Sequence, residues 1–166
     1  KHFIPESLAG AHVAEGQATV IGDFRIHEDG FTRFAVIATP RAGQRRLGRI
    51  VQRLIEIENY RMLSMLALPV SRSVNHRLDT IEDALTALIA EIADEGGRRA
   101  GRDDKAMLAE LTRLSAEIEA IAAETAFRFA ASNAYSALVE QRIEVLREER
   151  AADRQLLSEF MARRFQ

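Results

Sequence analysis

The hydrophobic period of this sequence changes once, near Pro40, and that change determines the order of its secondary structure. Before Pro40 the apolar residues form short β-branched runs, and after it they recur at spacings of three and four, which are the periods of strands and of helices. We therefore expect an α+β fold that is predominantly α-helical, with a small antiparallel β-hairpin or sheet near the N-terminus followed by long antiparallel helices. The matching domain prediction is a small β segment over residues 1–40 and a long-helix bundle over residues 41–166.

The β segment is predicted from two apolar runs that flank a polar turn. The turn is His27-Glu28-Asp29-Gly30, and Asp-Gly between two such runs is a strong hairpin signal because a primed turn needs positive φ at its central positions. The strands are expected at Gln17–Ile26 and Phe31–Ala38. Residues 4–13 form a looser segment that can lie beside them. Two strands alone are marginal in water, so this sheet must pack against helices or pair with further chain.

Four helices are predicted after Pro40. The first runs from Arg45 until Pro69 stops it, because proline in a helix interior removes a hydrogen bond and clashes with the preceding turn. The others are expected over residues 74–93, 104–130 and 134–165, with a break at Ser132-Asn133. The apolar positions expected to be buried on the first helix are Leu47, Ile50, Val51, Leu54, Ile55, Met62, Leu63, Met65 and Leu66.

The second and third helices are expected to form an antiparallel hairpin. Their apolar seam consists of Leu78, Ile81, Leu85, Leu88 and Ile92 with Leu111, Leu114, Ile118 and Ile121. The glycine-rich loop of residues 94–103 joins them, and Asp103 can cap the returning helix. Nine seam residues are too few to offset the ordering of a whole hairpin, so other surfaces must cover it. The first and fourth helices are one cover, and a partner chain is the alternative.

The fourth predicted helix does not come to an end within the sequence. No Gly, Pro or capping residue follows Arg163-Arg164-Phe165-Gln166, and the sequence begins with Lys1. We expect the sequence to be a piece of a longer protein, with this helix continuing toward a missing C-terminal region. The residues it is expected to bury are Tyr135, Leu138, Val139, Val145, Leu146, Leu157 and Phe160.

Composition excludes several classes of function. The 23 basic and 25 acidic residues leave a formal net charge of −2, whereas nucleic-acid binders carry a net basic face, so no nucleic-acid partner is expected. The absence of cysteine excludes disulfides and thiolate chemistry. No apolar run reaches the roughly 20 residues that span a bilayer, and no signal peptide opens the sequence, so the piece is expected to be soluble.

A basic stripe at the start of the first helix is the candidate binding site. It consists of Arg45, Arg46, Arg49 and Arg53, and its charge suits an anion such as a phosphate or a lipid headgroup. The alternative is a solvated helix face on which these arginines pair with Glu56 and Glu58.

The other polar groupings favour structural interpretations. The four histidines, His2, His12, His27 and His76, lack metal-ligand spacing, and turn chemistry explains Asp23, Glu28 and Asp29. Gly96-Gly97 with Arg98, Arg99 and Arg102 is only loosely similar to a phosphate cradle and is interpreted as a flexible loop. The charged run Gln141–Arg150 is typical of a solvated helix or of polar pairing between packed helices. We assign no catalytic residue, cofactor or metal ligand.

Several motifs of the chain carry a family resemblance. They are Phe3-Ile4-Pro5-Glu6-Ser7-Leu8, Gly22-Asp23-Phe24-Arg25-Ile26, Gly48 to Leu54 with Glu56-Ile57-Glu58, and Gln141 to Arg150 followed by Phe160 to Phe165. Together they resemble the DUF3422 family of uncharacterised bacterial membrane-anchored proteins over nearly the whole chain. The resemblance implies a further N-terminal region and a hydrophobic C-terminal segment, and it implies a location at the cytoplasmic face of the bacterial inner membrane.

Three functions are compatible with these observations. The leading one is a non-enzymatic, homo-oligomeric coupling domain of a membrane-anchored protein. The second is a regulatory or ion-sensing domain of a CorA-like transporter, because the order of small sheet, helices and long final helix is similar to that family in topology. The third is an enzyme that acts on an anionic substrate near the stripe from Arg45 to Arg53, which would need a pocket with convergent polar groups.

Overall fold

The computed structural model describes residues 2–95 and 104–165. It confirms an α+β fold that is mostly helical, with a small antiparallel sheet built mainly from N-terminal residues and long helices after it. The chain divides into two units. Unit 1 comprises Lys1–Ser64 and Asn133–Gln166, and unit 2 comprises Met65–Ser132. Residues 96–103 of the predicted glycine-rich loop, including its arginines and the proposed Asp103 cap, lie outside the described residues.

The sheet has four strands in the order β3-β2-β1-β4. Their bounds are Ala9–Val13 for β1, Ala18–Gly22 for β2, Phe34–Ala38 for β3 and Glu149–Arg150 for β4. All three neighbouring pairs are antiparallel, and β2 pairs with β3 from Ala18 opposite Ala38 to Gly22 opposite Phe34. The predicted pairing of the two runs is therefore confirmed, and the looser segment before them supplies β1.

The first predicted strand ends at Gly22, four residues earlier than expected. Asp23 turns inward and is fully buried, and Phe24 adopts a left-handed φ of 50°, so the extended backbone cannot continue. The Asp-Gly turn itself is present, with the Gly30 amide donating to the His27 carbonyl at 2.8 Å. It lies inside a longer connection between β2 and β3.

The second helix is longer at both ends than the predicted range of residues 74–93. Helix α1 is Gln44–Ser64, a short 3-10 turn follows at Met65–Ala67, and α2 is Leu68–Glu95. Pro69 thus lies in the first turn of α2, where its missing N–H would have had no partner in any case, and it does not terminate α1.

The predicted break at Ser132-Asn133 is wrong. Helix α3 is a single helix, Asp104–Leu146, of 43 residues, because serine and asparagine disfavour a helix interior only weakly. A helix over residues 134–165 is also wrong, since the chain leaves α3 at Arg147, forms β4 and begins α4, Leu157–Phe165. Arg147 ends α3 with a φ of 48°, in the role that glycine usually takes at such a terminus.

Unit 1 is built around one hydrophobic core. Small residues on one face of the sheet, such as Ala9 and Ala11, let the helices approach closely. The helical side of the core consists of Ile50, Leu54 and Ile57 from α1, Val139, Ile143 and Leu146 from α3, and Leu157, Phe160 and Met161 from α4. The predicted burial of Val139, Leu146, Leu157 and Phe160 is confirmed, whereas Val145 is 43% exposed.

The wide apolar face predicted for α1 is only partly buried. Ile50 and Leu54 are buried, but Val51, Ile55, Met62 and Leu63 are 37–55% exposed. The buried stripe instead continues through Ile57, Arg61 and Ser64, at the helical spacings of three and four. Helix α1 therefore contributes only a narrow buried stripe to unit 1, and that stripe ends in two polar residues.

Unit 2 is the predicted helical hairpin with a narrower seam than expected. Val74 and Ile81 of α2 pack with Leu114 and Ile121 of α3, and Leu88 packs beside them. An exposed ion pair between Arg77 Nη1 and Glu124 Oε2 at 2.9 Å also joins the two helices. The other predicted seam residues, Leu78, Leu85, Ile92, Leu111 and Ile118, are 37–48% exposed.

Candidate functional site

Three of the four predicted arginines line one groove of unit 1. Arg46, Arg49 and Arg53 follow one another at spacings of three and four on α1, and Arg147, the residue after α3, lines the same groove. The groove has a volume of about 260 Å³. Its other lining residues are Glu15, Ala14, Ile50 and Val145. We call these eight residues the arginine groove; Arg45 is exposed and does not line it.

The core of unit 1 and one backbone hydrogen bond hold the walls of the groove in place. Ile50 lies between the groove arginines on α1 and is 1% exposed, which anchors that turn of the helix. The Ala14 amide donates to the Leu146 carbonyl at 3.0 Å and so ties the turn between β1 and β2 to the end of α3. Ala14, Glu15 and Arg147 have φ values of 54°, 59° and 48°. Such left-handed backbone is unusual for residues other than glycine and is retained only where the surroundings enforce it.

The groove contains more cations than its own carboxylate can neutralise. Arg147 Nη1 pairs with Glu15 Oε1 at 2.9 Å, and Arg53 Nη1 donates to the Val145 carbonyl at 3.3 Å. Among the residues that the structure describes, the side chains of Arg46 and Arg49 have no hydrogen bond or ion-pair partner. Four guanidinium groups therefore share one carboxylate.

The predicted alternative, in which Glu56 and Glu58 neutralise the arginine stripe, is wrong. Glu56 Oε2 instead accepts from Arg142 Nε at 2.7 Å, and Glu58 Oε1 pairs with Arg61 Nη2 at 2.6 Å. Both carboxylates are thus committed to arginines outside the groove. This leaves the stripe available to an anion.

The location of the arginines is electrostatically unfavourable for α1 itself. The first turn of the helix has no acidic residue, although the positive end of the helix dipole favours carboxylates and disfavours cations. Arg46–Arg49 and Arg49–Arg53 are also like-charged at neighbouring positions of one helix face, each pair costing about 0.2–0.5 kcal/mol. A bound anion would remove both penalties, and Val145, which is 43% exposed, offers a small apolar surface beside it.

The sequence could not have identified the whole groove. Arg147 and Glu15 are separated from the stripe by long stretches of chain, and only the fold brings them to it. The one local signal is the density of charge around Arg147, and such density is typical of a solvated or helix-pairing segment. Nothing in the sequence around Glu15 marks it.

A second groove of unit 1 lies beside α4 and has more acidic than basic side chains, although Arg147 lines it as well. Its volume is about 500 Å³. Val139, Ile143 and Met161 form its apolar part. Glu140, Glu144 and Glu148 follow at intervals of four residues along its edge. The Glu148 carboxylate accepts hydrogen bonds from the Leu157 and Ser158 amides at 2.9 and 3.0 Å, so it caps α4.

The charged run Gln141–Arg150 mainly joins elements of unit 1. Arg142 pairs with Glu56 of α1, Arg147 pairs with Glu15, and Arg150 pairs with Glu159 of α4. Polar pairing between packed elements, one of the two predicted roles, is therefore confirmed. Arg147 pairs with Glu15 and not with Glu144, three residues before it, because Arg147 has left the helix.

The acidic cluster near the hairpin turn is structural, as predicted. Asp29 Oδ1 accepts from the Phe31 amide at 3.2 Å. Asp23 is fully buried, and its carboxylate accepts from the amides of Ile4 and Arg25 at 3.0 and 3.3 Å. His27 Nε2 lies 3.0 Å from Asp23 Oδ2, an ion-pair distance without hydrogen-bond geometry. These contacts fasten the N-terminal segment to the end of β2.

Within residues 2–95 and 104–165, no three His, Cys, Asp or Glu side chains are grouped so that they could hold a metal ion. In the same residues, no helix is both long enough and apolar enough to cross a bilayer.

Unit 2 has an exposed apolar face in addition to its buried seam. Leu78, Leu85 and Ile92 each follow a seam residue of α2 by four positions, and Ile118 of α3 follows the seam residue Leu114 by four. Leu111 precedes Ile118 by seven positions and so lies on the same side of α3. Four residues rotate a helix by about 40° beyond a full turn. Because the two helices are antiparallel, the same rotation brings both exposed stripes to the same side of the hairpin. This hairpin face consists of Leu78, Leu85, Ile89 and Ile92 with Leu108, Leu111 and Ile118.

Comparison with known proteins gives one match. A family model described as "Protein of unknown function (DUF3422)" matches residues 1–166, the full length of the sequence. No curated protein and no solved structure matches the chain significantly.

Proposed function

The chain belongs to the DUF3422 family of proteins of unknown function, and from that premise we propose that it is a homo-oligomeric coupling domain of a membrane-anchored bacterial protein. The observation that carries the proposal is the hairpin face, whose seven leucine and isoleucine side chains are 37–65% exposed. Contiguous apolar patches of this kind on a folded domain usually mark an interaction surface. The proposed partner is a second copy of the chain.

The shape of the hairpin face favours a second copy over other occupants. An isologous dimer needs a patch that can meet itself, and two antiparallel helices facing two more complete a four-helix bundle. Burying a half-exposed leucine or isoleucine gives about 1 kcal/mol, so two copies gain about 14 kcal/mol. Association costs roughly 4–15 kcal/mol, so the gain from pairing the two faces exceeds most of that range and supports a dimer.

Coupling is supported by the way α3 is shared between the units. The helix contributes Leu114 and Ile121 to the seam of unit 2. It also contributes Val139, Ile143 and Leu146 to the core of unit 1. One uninterrupted helix is thus part of the assembly element and of the unit that contains the arginine groove.

The membrane anchor and the bacterial inner-membrane location rest on the family resemblance alone. They are tested on the full-length protein produced in a bacterial host. The protein should remain in the membrane pellet after alkaline carbonate extraction, and recovery in the supernatant would contradict the anchor.

Assembly is tested by light scattering coupled to size exclusion. We expect the wild-type chain to elute at a multiple of its own mass, and Leu85→Glu or Ile118→Glu to elute as a monomer. Ala87→Glu is the matched control, because Ala87 is exposed on the opposite side of α2 and gains the same charge. Circular dichroism verifies that each variant keeps its helix content.

Two outcomes of this experiment decide between functions. Assembly through the hairpin face would be overturned if the wild-type chain were a monomer at all accessible concentrations. It would also be overturned if Ala87→Glu became monomeric to the same extent as Leu85→Glu and Ile118→Glu. Adding a divalent cation should leave the mass unchanged, whereas an ion-sensing domain of the CorA-like kind would respond to it.

A further inference from the structure

We propose that the arginine groove is a binding site for a phosphate group. The inference does not depend on assembly, since every residue of the groove belongs to unit 1 and the hairpin face belongs to unit 2. It rests on three observations: the convergence of four arginines, the shortage of carboxylates to neutralise them, and the dimensions of the groove.

The convergence comes from two separate parts of the chain. Arg46, Arg49 and Arg53 are placed by α1, and Arg147 is placed by the left-handed backbone that ends α3. A helix with the usual glycine at this terminus would supply no side chain here. Arginine in a left-handed conformation gives the groove its fourth cation at the cost of some backbone strain.

The shortage of carboxylates leaves hydrogen-bond donors available. Arg53 uses one donor on the Val145 carbonyl, and Arg147 uses one on Glu15. Each guanidinium has five N–H donors in a planar fork. The groups of Arg46 and Arg49 have none of these donors engaged within the described part of the chain. The groove therefore presents a set of donors that a multi-oxygen anion can satisfy.

The chemistry of the donors selects phosphate among anions. Arginine forks match two oxygens of a phosphate at once, and the three or four oxygens of one phosphate can accept from more than one guanidinium. The volume of about 260 Å³ is slightly below the roughly 300–1,000 Å³ of pockets for drug-sized ligands. A phosphate with a small substituent fits this volume, and the exposed side chain of Val145 can contact the substituent.

Glu15 acts as an internal competitor for the ligand. Its carboxylate pairs with Arg147 at 2.9 Å when the groove contains no anion. A phosphate that contacts Arg147 must displace this carboxylate or share the guanidinium with it. Removing the charge of Glu15 should therefore tighten binding, whereas a carboxylate that merely lay near the groove would have little effect.

The phosphate can be part of a soluble molecule or of a lipid headgroup, and the two sources require different probes. Binding of inorganic phosphate is measured by residue-resolved NMR titration. Binding to membranes is measured by flotation with vesicles of phosphatidylglycerol in phosphatidylcholine, against vesicles of phosphatidylcholine alone. Both measurements use the chain of residues 1–166 at low ionic strength, because salt screens exposed charges.

The variants separate a defined site from general surface charge. Arg49→Glu should weaken binding of whichever probe the wild-type chain binds by about tenfold or more. Glu15→Gln should strengthen binding of the same probe several-fold. Arg45→Glu is the matched control, since it makes the same charge change on the same helix outside the groove, and it should change the affinity by less than about twofold.

Each outcome bears on the proposal. Phosphate-induced shifts that centre on the groove and disappear in Arg49→Glu support a site for soluble phosphate compounds. Vesicle binding that depends on Arg49 but not on Arg45, without binding of inorganic phosphate, supports a headgroup site. Equal effects of Arg45→Glu and Arg49→Glu, or no binding of either probe by the wild-type chain, would overturn the proposal.

Discussion

At the scale of single residues, unit 1 keeps a charged side chain inside its core by giving it several partners. Arg61 is 7% exposed and pairs with Glu58, whose carboxylate also accepts from the Thr32 hydroxyl at 2.7 Å. The Arg61 guanidinium lies 5.8 Å from the centre of the Phe24 ring, which adds a cation–π contact. Removing one member of such a group is costly because the others remain buried without compensation.

The N-terminus of α4 provides a prediction on pH dependence. Arg150 and the Leu156 amide donate to the Glu159 carboxylate and hold its pKa below the ordinary value of 4.5. Because the folded pKa is lowered, the stabilisation is present above about pH 4.5 and is lost as the pH falls through the folded value. Glu159→Gln should therefore reduce the acid sensitivity of unfolding in this range.

The control for that experiment is Glu119→Gln, which neutralises an exposed glutamate of α3. Thermal unfolding is followed between pH 7 and about pH 3 for both variants. If Glu159→Gln and the wild-type chain lost stability in parallel on acidification, the assigned role of Glu159 would be incorrect.

At the scale of secondary-structure elements, one end of the β2–β3 pair is tightly packed, where Gly22 lies opposite Phe34. A Cβ at Gly22 would lie 2.7 Å from Cδ1 of the Phe34 ring, which packs edge-on against Phe24 at 5.2 Å between ring centres. The pair leaves no room for a side chain at this position of the sheet.

Gly22→Ala should accordingly destabilise the chain by about 1–3 kcal/mol, because the Phe34 ring must shift out of its packing. Gly48→Ala offers a control of opposite sign: it lies within α1, a Cβ there meets nothing within 4 Å, and alanine in a helix is about 0.5–1 kcal/mol better than glycine. Urea denaturation of both variants checks the prediction, and a neutral Gly22→Ala would show that the strands can separate at this end.

The elements also show which parts of the fold the sequence could predict. Periodicity was sufficient for the helical hairpin and for the pairing of β2 with β3, since those signals are local. Periodicity was not sufficient to predict where α3 ends. Arg147 ends the helix in a left-handed conformation, which a sequence suggests only when glycine or asparagine stands at that position. The density of basic residues assigned Arg45, Arg46, Arg49 and Arg53 to a site, and all but Arg45 line the groove. Glu15 and Arg147 join them through tertiary contacts that no spacing in the sequence encodes.

At the scale of the whole molecule, the two candidate surfaces belong to different units. The arginine groove depends on α1, the end of α3 and the β1–β2 turn, all in unit 1. The hairpin face depends on α2 and the first part of α3. Changes at one surface are therefore not expected to alter the other by direct contact.

A cross-test follows from this separation. Leu85→Glu should abolish assembly while leaving the affinity for inorganic phosphate within about twofold of wild type, because the effects of mutations at sites that share no residues or partners are additive. Arg49→Glu should weaken phosphate binding and leave the oligomeric mass unchanged. The same NMR titration and light-scattering measurements check both statements, and a Leu85→Glu variant that lost phosphate binding would mean that the groove requires the oligomer.

The leucine and isoleucine composition of the hairpin face gives the proposed assembly a characteristic temperature dependence. Hydrophobic association has little enthalpy near room temperature and weakens on cooling, whereas contacts made by charged groups do not share this behaviour. An oligomer held by this face should therefore loosen in the cold and tighten on warming to the temperature of a growing cell. Chain kept on ice would then contain more of the smaller species than the same chain at ambient temperature.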